Sequence, residues 1–278
     1  MKTQLKKPLP ARPNFIGILN LTQDSFSDGG DFYDFENALR HAKKLHAEGA
    51  DILDIGGEST RPGAQPISQE AEAKAVLPVL EVVRHQIPEL EISIDTRNAS
   101  TAREAIKLGA RIVNDISALR HDPEMAPLLA SKPDVKVILM HMQGIPQTMQ
   151  NDPHYDDVVA EVDAFFAERI DFALSNDILR ENILLDPGIG FGKTAEHNYT
   201  ILGALSHFKH HGLPLVLGAS RKRFLEAETG AGPKERLGGS LAAAWLAFSQ
   251  GVEYLRIHDV LAHRQFFNVL EKTLEGMN

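Results

Sequence analysis

The sequence predicts a single α/β domain folded as a (β/α)8 TIM barrel. Two patterns indicate this fold: eight short apolar segments, and amphipathic segments between them, in a repeat of about thirty residues. The chain has 278 residues, and a barrel of this kind uses roughly 250. A doubly wound sheet, the alternative, usually has a Gly-x-Gly-x-x-Gly motif after its first strand, and the sequence has none there. We therefore predict one domain over residues 1–278, with a flexible start over 1–13.

Eight segments have the length and the apolar, β-branched composition of buried parallel strands. In chain order they span residues 15–19, 51–55, 91–94, 111–114, 136–139, 182–185, 213–217 and 252–257. The amphipathic, Ala-, Glu- and Lys-rich segments between them predict helices over 36–48, 68–86, 99–108, 122–130, 155–175, 195–211, 235–250 and 260–274. Ser68 is predicted to cap the second helix, and Gly49, Gly109, Gly212 and Gly251 to end four others.

Composition and charge narrow the range of functions. Lys and Arg total 29 against 38 Asp and Glu, a formal net charge of -9 without a long basic block, which argues against nucleic acid as a partner. There is no cysteine, which excludes disulfides and thiolate chemistry and fits a reducing compartment. The longest apolar run, 241–248, is far shorter than the ~18 residues of a membrane span. We expect a cytoplasmic protein that does not bind membranes.

Polar residues follow nearly every predicted strand. The carboxyl ends of barrel strands form the active site, so these residues are predicted to share one mouth. For any one of them a polar cap at the surface explains the residue equally well, but carboxylates crowded at one mouth repel each other unless they bind something. The residues concerned are Asn20, Asp54, Asp95, Asn114, His141, Asp186, Ser220, Lys222, Arg256 and His258.

Two loops, 22–30 and 56–63, combine glycines with hydroxyl side chains, and the second contains Arg61. This mixture is typical of mobile loops that close over an anionic ligand, although ordinary solvated loops have a similar composition. As a pair beside Asn20, the loops favour a lid.

The last strand suggests an anion site. Arg256 and His258 are two residues apart, so both side chains point to the same face of the strand. Their donors suit phosphate oxygens in a region where barrels often hold phosphate. A salt bridge to a neighbouring carboxylate is the alternative for Arg256.

Asp186 precedes a glycine-rich turn and suggests a site for a heterocycle. Its carboxylate suits two adjacent N–H groups, such as those of an aminopyrimidinone ring, and the alternative is that it caps the turn through backbone N–H groups. Asn114, Asp95 and Lys222 would hold the rest of such a ring.

Other signals are weaker. His207, His210 and His211 share one predicted helix, and because no carboxylate lies at a matching spacing we interpret them as a solvated face rather than a metal site. The apolar stretch around Trp245 suits either packing or a contact between subunits. Met140 could line an aromatic pocket, although core filling is the default.

Seven motifs occur in order: GILNLTQDSFSDGG (17–30), DIGGESTRPG (54–63), SIDT (93–96), NDIS (114–117), DPGIGF (186–191), GASRKRF (218–224) and LRIHDV (255–260). With these motifs the sequence resembles the dihydropteroate synthase family, which binds pterins, along nearly its whole length. Gln23 departs from the family, whose loop is expected to have proline there; this loosens the loop without removing a reacting group.

The resemblance implies a folate-biosynthesis transferase that joins 6-hydroxymethyl-7,8-dihydropterin diphosphate to para-aminobenzoate, giving 7,8-dihydropteroate and pyrophosphate, and it implies a homodimer. It also implies site residues. The pterin would be held by Asp95, Asn114, Asp186 and Lys222, with Met140 nearby. The diphosphate would be held by Asn20, Thr60, Arg256 and His258, with Mg2+ between Asn20 and phosphate oxygens. The aminobenzoate would be held by Phe26, Arg61, Pro62, Phe191 and Ser220. The residues expected to act in catalysis are Asp95, Lys222, Arg256 and His258.

Two other functions stay open at this point. A pterin-dependent methyltransferase domain would share the barrel and the pterin-facing carboxylates, but it has no need of Arg256 and His258 beside a diphosphate. A catalytically silent paralogue would only bind a pterin, and the intact candidates at Asn20, Asp95 and Lys222 argue against it.

Overall fold

A computed structural model of the chain describes residues 12–21, 31–59 and 63–275. Its strands are β1 (Asn14–Asn20), β2 (Ile52–Gly56), β3 (Glu91–Asp95), β4 (Ile112–Asp115), β5 (Lys136–Met140), β6 (Ile183–Asp186), β7 (Val216–Leu217) and β8 (Tyr254–Ile257). They pair in parallel, in the order β6-β5-β4-β3-β2-β1-β8-β7. A bridge between Leu185 and Leu215 joins β6 to the approach to β7 and brings the sheet close to closure. The predicted (β/α)8 TIM barrel is confirmed.

Helices alternate with the strands. They are α1 (Asp31–Ala47), α2 (Gln69–Gln86), α3 (Ala99–Lys107), α4 (Met125–Ala130), α5 (Val158–Ser175), α6 (Ala195–Gly203), α7 (Leu237–Ser249) and α8 (Val260–Glu275). Ser68 caps α2 as predicted, since its hydroxyl accepts the Ala71 N–H at 3.2 Å. The glycines predicted to end helices all have positive φ: Gly49, Gly109, Gly212 and Gly251. In the described parts of the chain, no helix combines the length and apolarity needed to cross a membrane.

Two predicted elements are wrong in extent. The helix predicted over 195–211 ends at Gly203, and a 3-10 turn, Leu205–His211, follows it. The tighter winding places residues three apart on one side, which buries Leu205 and Phe208 together. The strand predicted over 213–217 is reduced to Val216–Leu217, because Pro214 has no N–H to donate to a strand ladder.

The barrel interior explains where the polar residues point. One apolar layer, to which Tyr254 is packed, fills its centre: Ile16, Ile52, Ile112, Ile138, Leu184 and Val216. Side chains two residues further along a strand point to the same side. The next inward positions are therefore Ile18, Asp54, Asn114, Met140, Asp186, Gly218 and Arg256. The apolar layer is thus the floor below a polar mouth.

Candidate active site

A cavity opens at the carboxyl ends of the strands. Its empty volume, open mouth included, is about 320 Å3. The predicted site residues that line it are Asp95, Asn114, Met140, Asp186, Phe191, Lys222 and Arg256. The sequence analysis did not propose the other lining residues as binding residues: Ile116, Gly188, Ile189 and Gly218.

Strand register brings these residues together. Asn20 pairs with Gly56, Gly56 with Asp95, and Asp95 with Asn114, so the four residues lie at one level across β1 to β4. On the opposite part of the sheet, Asp186 of β6 pairs with a neighbour in β5. Residues distant in sequence meet because all the strands end at the same edge.

Arg256 joins two carboxylates inside the mouth. Its Nε donates to Asp54 Oδ2 at 2.6 Å, and its Nη2 donates to Asp95 Oδ2 at 2.7 Å. The Asn114 amide donates to the same Asp54 oxygen at 3.2 Å. The structure thus contains the salt bridge that was the alternative for Arg256, and it also places Arg256 in the cavity wall. Binding of diphosphate by Arg256 stays a prediction.

This arrangement shifts the pKa values of Arg256 and Asp95. Burial alone would lower the pKa of Arg256, but Asp54 and Asp95 raise it above its ordinary value. Burial, with the charge of Asp54, raises the pKa of Asp95 to about 7, although Arg256 opposes the rise. Asp95 therefore changes charge near neutral pH, which is a common feature of functional carboxyl groups.

Lys222, which also lines the cavity, has a shifted pKa as well. Burial lowers its pKa to about 7, against the opposing charge of Asp186. Its Nζ donates to the Ile189 carbonyl oxygen and lies 4.1 Å from the centre of the Phe191 ring. An ammonium over an aromatic face is a favourable cation–π contact, so Lys222 and Phe191 form one wall of the cavity.

Asp186 serves the turn with one of its oxygens. Its Oδ1 accepts the Gly188 N–H at 2.7 Å, so the capping alternative holds for that atom. Its Oδ2 lies 3.7 Å from the position that a Cβ on Gly218 would take, and Gly218 lines the cavity. Burial raises the pKa of Asp186. The geometry therefore permits both roles that the sequence left open.

His258 contacts Ser220, and neither residue is among those that line the described cavity. The Ser220 Oγ accepts the His258 backbone N–H at 3.2 Å and lies 3.1 Å from His258 Nδ1. Burial, with the charges of Arg221 and Arg256, lowers the pKa of His258 to about 3, so the ring is neutral at pH 7. Because a serine hydroxyl can both donate and accept, the contact with Nδ1 suits either neutral tautomer of His258, and in the tautomer with Nε2–H the ring can donate from Nε2.

Comparisons with known proteins identify the family of the chain. The family model for pterin binding enzymes matches residues 16–258. The dihydropteroate synthase of Escherichia coli (strain K12) is 46% identical over 266 residues, covering 96% of this chain and 93% of that relative. The chain belongs to the dihydropteroate synthase family of pterin-binding enzymes. The family resemblance carried by the seven motifs is confirmed.

Solved members of the dihydropteroate synthase family have the same fold. The Xanthomonas albilineans enzyme with 4-aminobenzoic acid matches with a TM-score of 0.88 at 43% identity, covering 95% of this chain and 94% of that one. The enzyme of the same organism in complex with 7,8-dihydropteroate matches with a TM-score of 0.85 at 40% identity, with 95% and 94% covered.

Sequence reasoning missed Lys193 as a support for the site. Its Nζ is 2.8 Å from His141 Nδ1 and donates to the carbonyl oxygens of Gly188 at 3.0 Å and Phe191 at 3.1 Å. Burial lowers the pKa of Lys193 well below its ordinary value. Lys193 thus ties the turn after β6 to the end of β5. No local pattern signals this, since a lysine after a glycine turn is usually solvated.

Several of the predicted site residues lie outside the described parts of the chain. They are Phe26, Thr60, Arg61 and Pro62, and their roles stay predictions. Asn20 is described and is half-buried at the end of β1.

Proposed function

We propose that this chain catalyses the dihydropteroate synthase reaction of folate biosynthesis. It transfers the pterinylmethyl group of 6-hydroxymethyl-7,8-dihydropterin diphosphate to the amine of para-aminobenzoate, giving 7,8-dihydropteroate and pyrophosphate. The observation that carries the proposal is the convergence of Asp95, Asn114, Asp186 and Lys222 on one cavity. The relative solved with 4-aminobenzoic acid and with 7,8-dihydropteroate supports it, because these are the acceptor and the product of this reaction.

The pterin ring fits the polar wall of the cavity. Asp186 Oδ2 would accept the two adjacent N–H groups of the aminopyrimidinone edge, while Asn114 and the Lys222 ammonium bind the rest of the ring. Met140 would cover one face of the ring, and Phe191, which belongs to the same apolar cluster, would contact the aminobenzoate.

In the transfer, the bond between the exocyclic methylene and the diphosphate oxygen breaks, and the amine nitrogen forms the new bond. The ring delocalises the positive charge that develops on the methylene, and the Asp95 carboxylate stabilises this charge. Arg256 and neutral His258, in the tautomer that carries Nε2–H, stabilise the departing diphosphate. The amine attacks as the free base and loses one proton afterwards, so no strong general base is needed.

The site suits Mg2+ as a cofactor. An ion bound mainly through phosphate oxygens and water needs few protein ligands, and the half-buried Asn20 offers one amide oxygen at the mouth. When bound, Mg2+ would neutralise charge on the diphosphate. Asn20 would then orient the diphosphate end of the substrate, while Asp95 and Asn114, level with it in the sheet, hold the ring end.

Loop closure predicts an order of binding. If the loops around 22–30 and 56–63 complete the aminobenzoate pocket, pterin diphosphate binds first and para-aminobenzoate second. Tight binding of para-aminobenzoate to the empty protein would contradict this order.

Substitution of the two cavity cations tests the proposal. We expect Lys222→Ala and Arg256→Ala to abolish turnover of pterin diphosphate while circular dichroism shows an intact fold. A matched control is Lys209→Ala, since Lys209 pairs with Glu253 and does not line the cavity. Full activity in both cavity variants would show that the site assignment is wrong. Pterin-diphosphate binding without turnover in the unsubstituted protein would instead indicate a silent paralogue.

We also propose a cytoplasmic homodimer. Helices α7 and α8 pack through Phe248 and Phe267, whose ring centres are 5.4 Å apart. Apolar side chains on these two helices stay exposed, among them Trp245, Leu261 and Val269. Exposed apolar side chains of this kind can supply a contact between subunits. The absence of cysteine fits a reducing compartment.

A further inference from the structure

Three histidines and one aspartate converge in the outer layer of the barrel. His207, His210 and His211 lie in the 3-10 turn after α6, and Asp163 lies in α5. Asp163 Oδ1 is 2.9 Å from His211 Nε2, 3.5 Å from His210 Nε2 and 3.8 Å from His207 Nε2. None of the four lines the cavity found in the described parts of the chain. The fold thus supplies the carboxylate that the local spacing of the histidines lacks.

The spacing of these atoms suits a metal ion. One ligand atom each from Asp163, His207 and His210 lies within 4.8 Å of the others. Zinc bonds of about 2.0–2.2 Å in a tetrahedral site place neighbouring ligand atoms about 3.3 Å apart. The two distances from Asp163, 3.5 and 3.8 Å, are close to that value. Both histidine side chains are about half exposed, so small rotations can shorten these distances.

The hydrogen bonds of the turn direct a lone pair at the carboxylate. His210 Nδ1 is 2.8 Å from the carbonyl oxygen of His207. A carbonyl oxygen only accepts, so Nδ1 carries the proton, and in the neutral ring Nε2 has the lone pair. Nε2 then faces Asp163 Oδ1, which is also an acceptor. A proton on His210 Nε2 would satisfy this pair alone, whereas one metal ion between the acceptors would bind His207 as well.

His211 is placed to orient the carboxylate. Its side chain is only 9% exposed, and its ring centre is 6.1 Å from that of Phe166. Arg180 donates a hydrogen bond to its backbone carbonyl. Its Nε2 lies 2.9 Å from Asp163 Oδ1, so the ring can donate to the carboxylate from a position that packing determines. Hydrogen-bonded partners of this kind commonly orient metal ligands.

We propose that Asp163, His207 and His210 bind one divalent transition-metal ion of the zinc type, with His211 as a positioning residue. Two imidazoles and a carboxylate are a donor set that zinc accepts, with water in the remaining position. The ion would join α5 to the turn before β7. It would therefore stabilise the folded chain through ligand binding, and it would take no part in the transfer reaction.

Calorimetric titration with ZnCl2 tests this site. The protein is prepared without an affinity tag and freed of metal with EDTA, which is then removed. The variants are Asp163→Asn and the double variant His207→Ala/His210→Ala. The matched control is His154→Ala, because His154 lies 3.4 Å from Asp156 but is exposed and outside the cluster. Thermal unfolding in EDTA checks that all the variants are folded.

We expect one zinc ion to bind per chain in the unsubstituted protein and in His154→Ala. Binding should be at least about tenfold weaker in Asp163→Asn, and stoichiometric binding should be lost in the double variant. Zinc should raise the unfolding temperature of the unsubstituted protein but not of the double variant. Unchanged zinc affinity in the double variant, or no binding to the unsubstituted protein at millimolar zinc, would overturn the proposal.

Discussion

At the residue scale, Asp95 and Lys222 should set the pH dependence of the reaction. Burial brings the pKa of each to about 7. The mechanism needs ionised Asp95 and protonated Lys222, so activity should fall below pH 7 as Asp95 gains a proton and above pH 7 as Lys222 loses one. We predict a narrow bell-shaped profile of kcat/KM with pterin diphosphate. The Asp95→Asn variant should lose most of the activity, and its profile should lack the fall on the acidic side. A flat kcat/KM profile of the unsubstituted protein from pH 6 to 8 would contradict the roles given to Asp95 and Lys222.

Lys222 should also make the stability of the ligand-free protein depend on pH. Its pKa is lowered to about 7 in the fold, whereas an unfolded lysine has a pKa of about 10.4. Between these values the unfolded chain binds more protons, so the free energy of unfolding rises with pH. Relative to Lys222→Met, the unsubstituted protein should gain stability from pH 7 to pH 10 in urea unfolding. If the free energies of unfolding of the two proteins changed in parallel with pH, Lys222 would not titrate in this range.

At the element scale, the turn after β6 depends on a glycine. A Cβ on Gly188 would lie 1.9 Å from the His141 carbonyl oxygen, and its φ is +64°. We predict that Gly188→Ala destabilises the fold by about 2–5 kcal/mol, because the clash adds to left-handed strain. Gly203→Ala is the control, since a Cβ there would meet nothing within 4 Å; it should stay within about 1 kcal/mol of the unsubstituted protein. Chemical denaturation measures both, and equal stabilities would refute the argument.

Elements with a strong local pattern could be predicted from the sequence. Apolar runs and the Ser68 cap depend on neighbouring residues, so α2 and the strands other than β7 lie close to their predicted positions. The break after Gly203 could not be predicted, because the 3-10 turn is stabilised by burial of Leu205 and Phe208 against the rest of the fold. Tertiary packing overrides helical spacing there.

At the scale of the whole molecule, seven of the predicted site residues meet at one cavity, but their contacts with each other could not be predicted from the sequence. The carboxyl-end rule groups the polar residues from sequence alone. The pairing of Arg256 with Asp54 spans 202 residues and depends on how the barrel closes. The same holds for Asp163 and His211, which are 48 residues apart. No local pattern identifies such partners.

The exposed apolar side chains of α7 and α8 should contribute to a contact between two copies of the chain. We predict that Leu261→Glu shifts the protein from dimer to monomer in sedimentation velocity, because a buried carboxylate at the contact would be desolvated without a partner. Leu179→Glu is the matched control, as Leu179 is also exposed but lies outside these helices. A monomeric unsubstituted protein, or a dimer that survives Leu261→Glu, would contradict the proposed contact.

The most direct test of the account is release of pyrophosphate from 6-hydroxymethyl-7,8-dihydropterin diphosphate, with and without para-aminobenzoate and Mg2+. We predict release that requires both, with one 7,8-dihydropteroate formed for each pyrophosphate. No release in the presence of all components would contradict the transfer reaction, and release without formation of dihydropteroate would contradict the role of para-aminobenzoate as the acceptor.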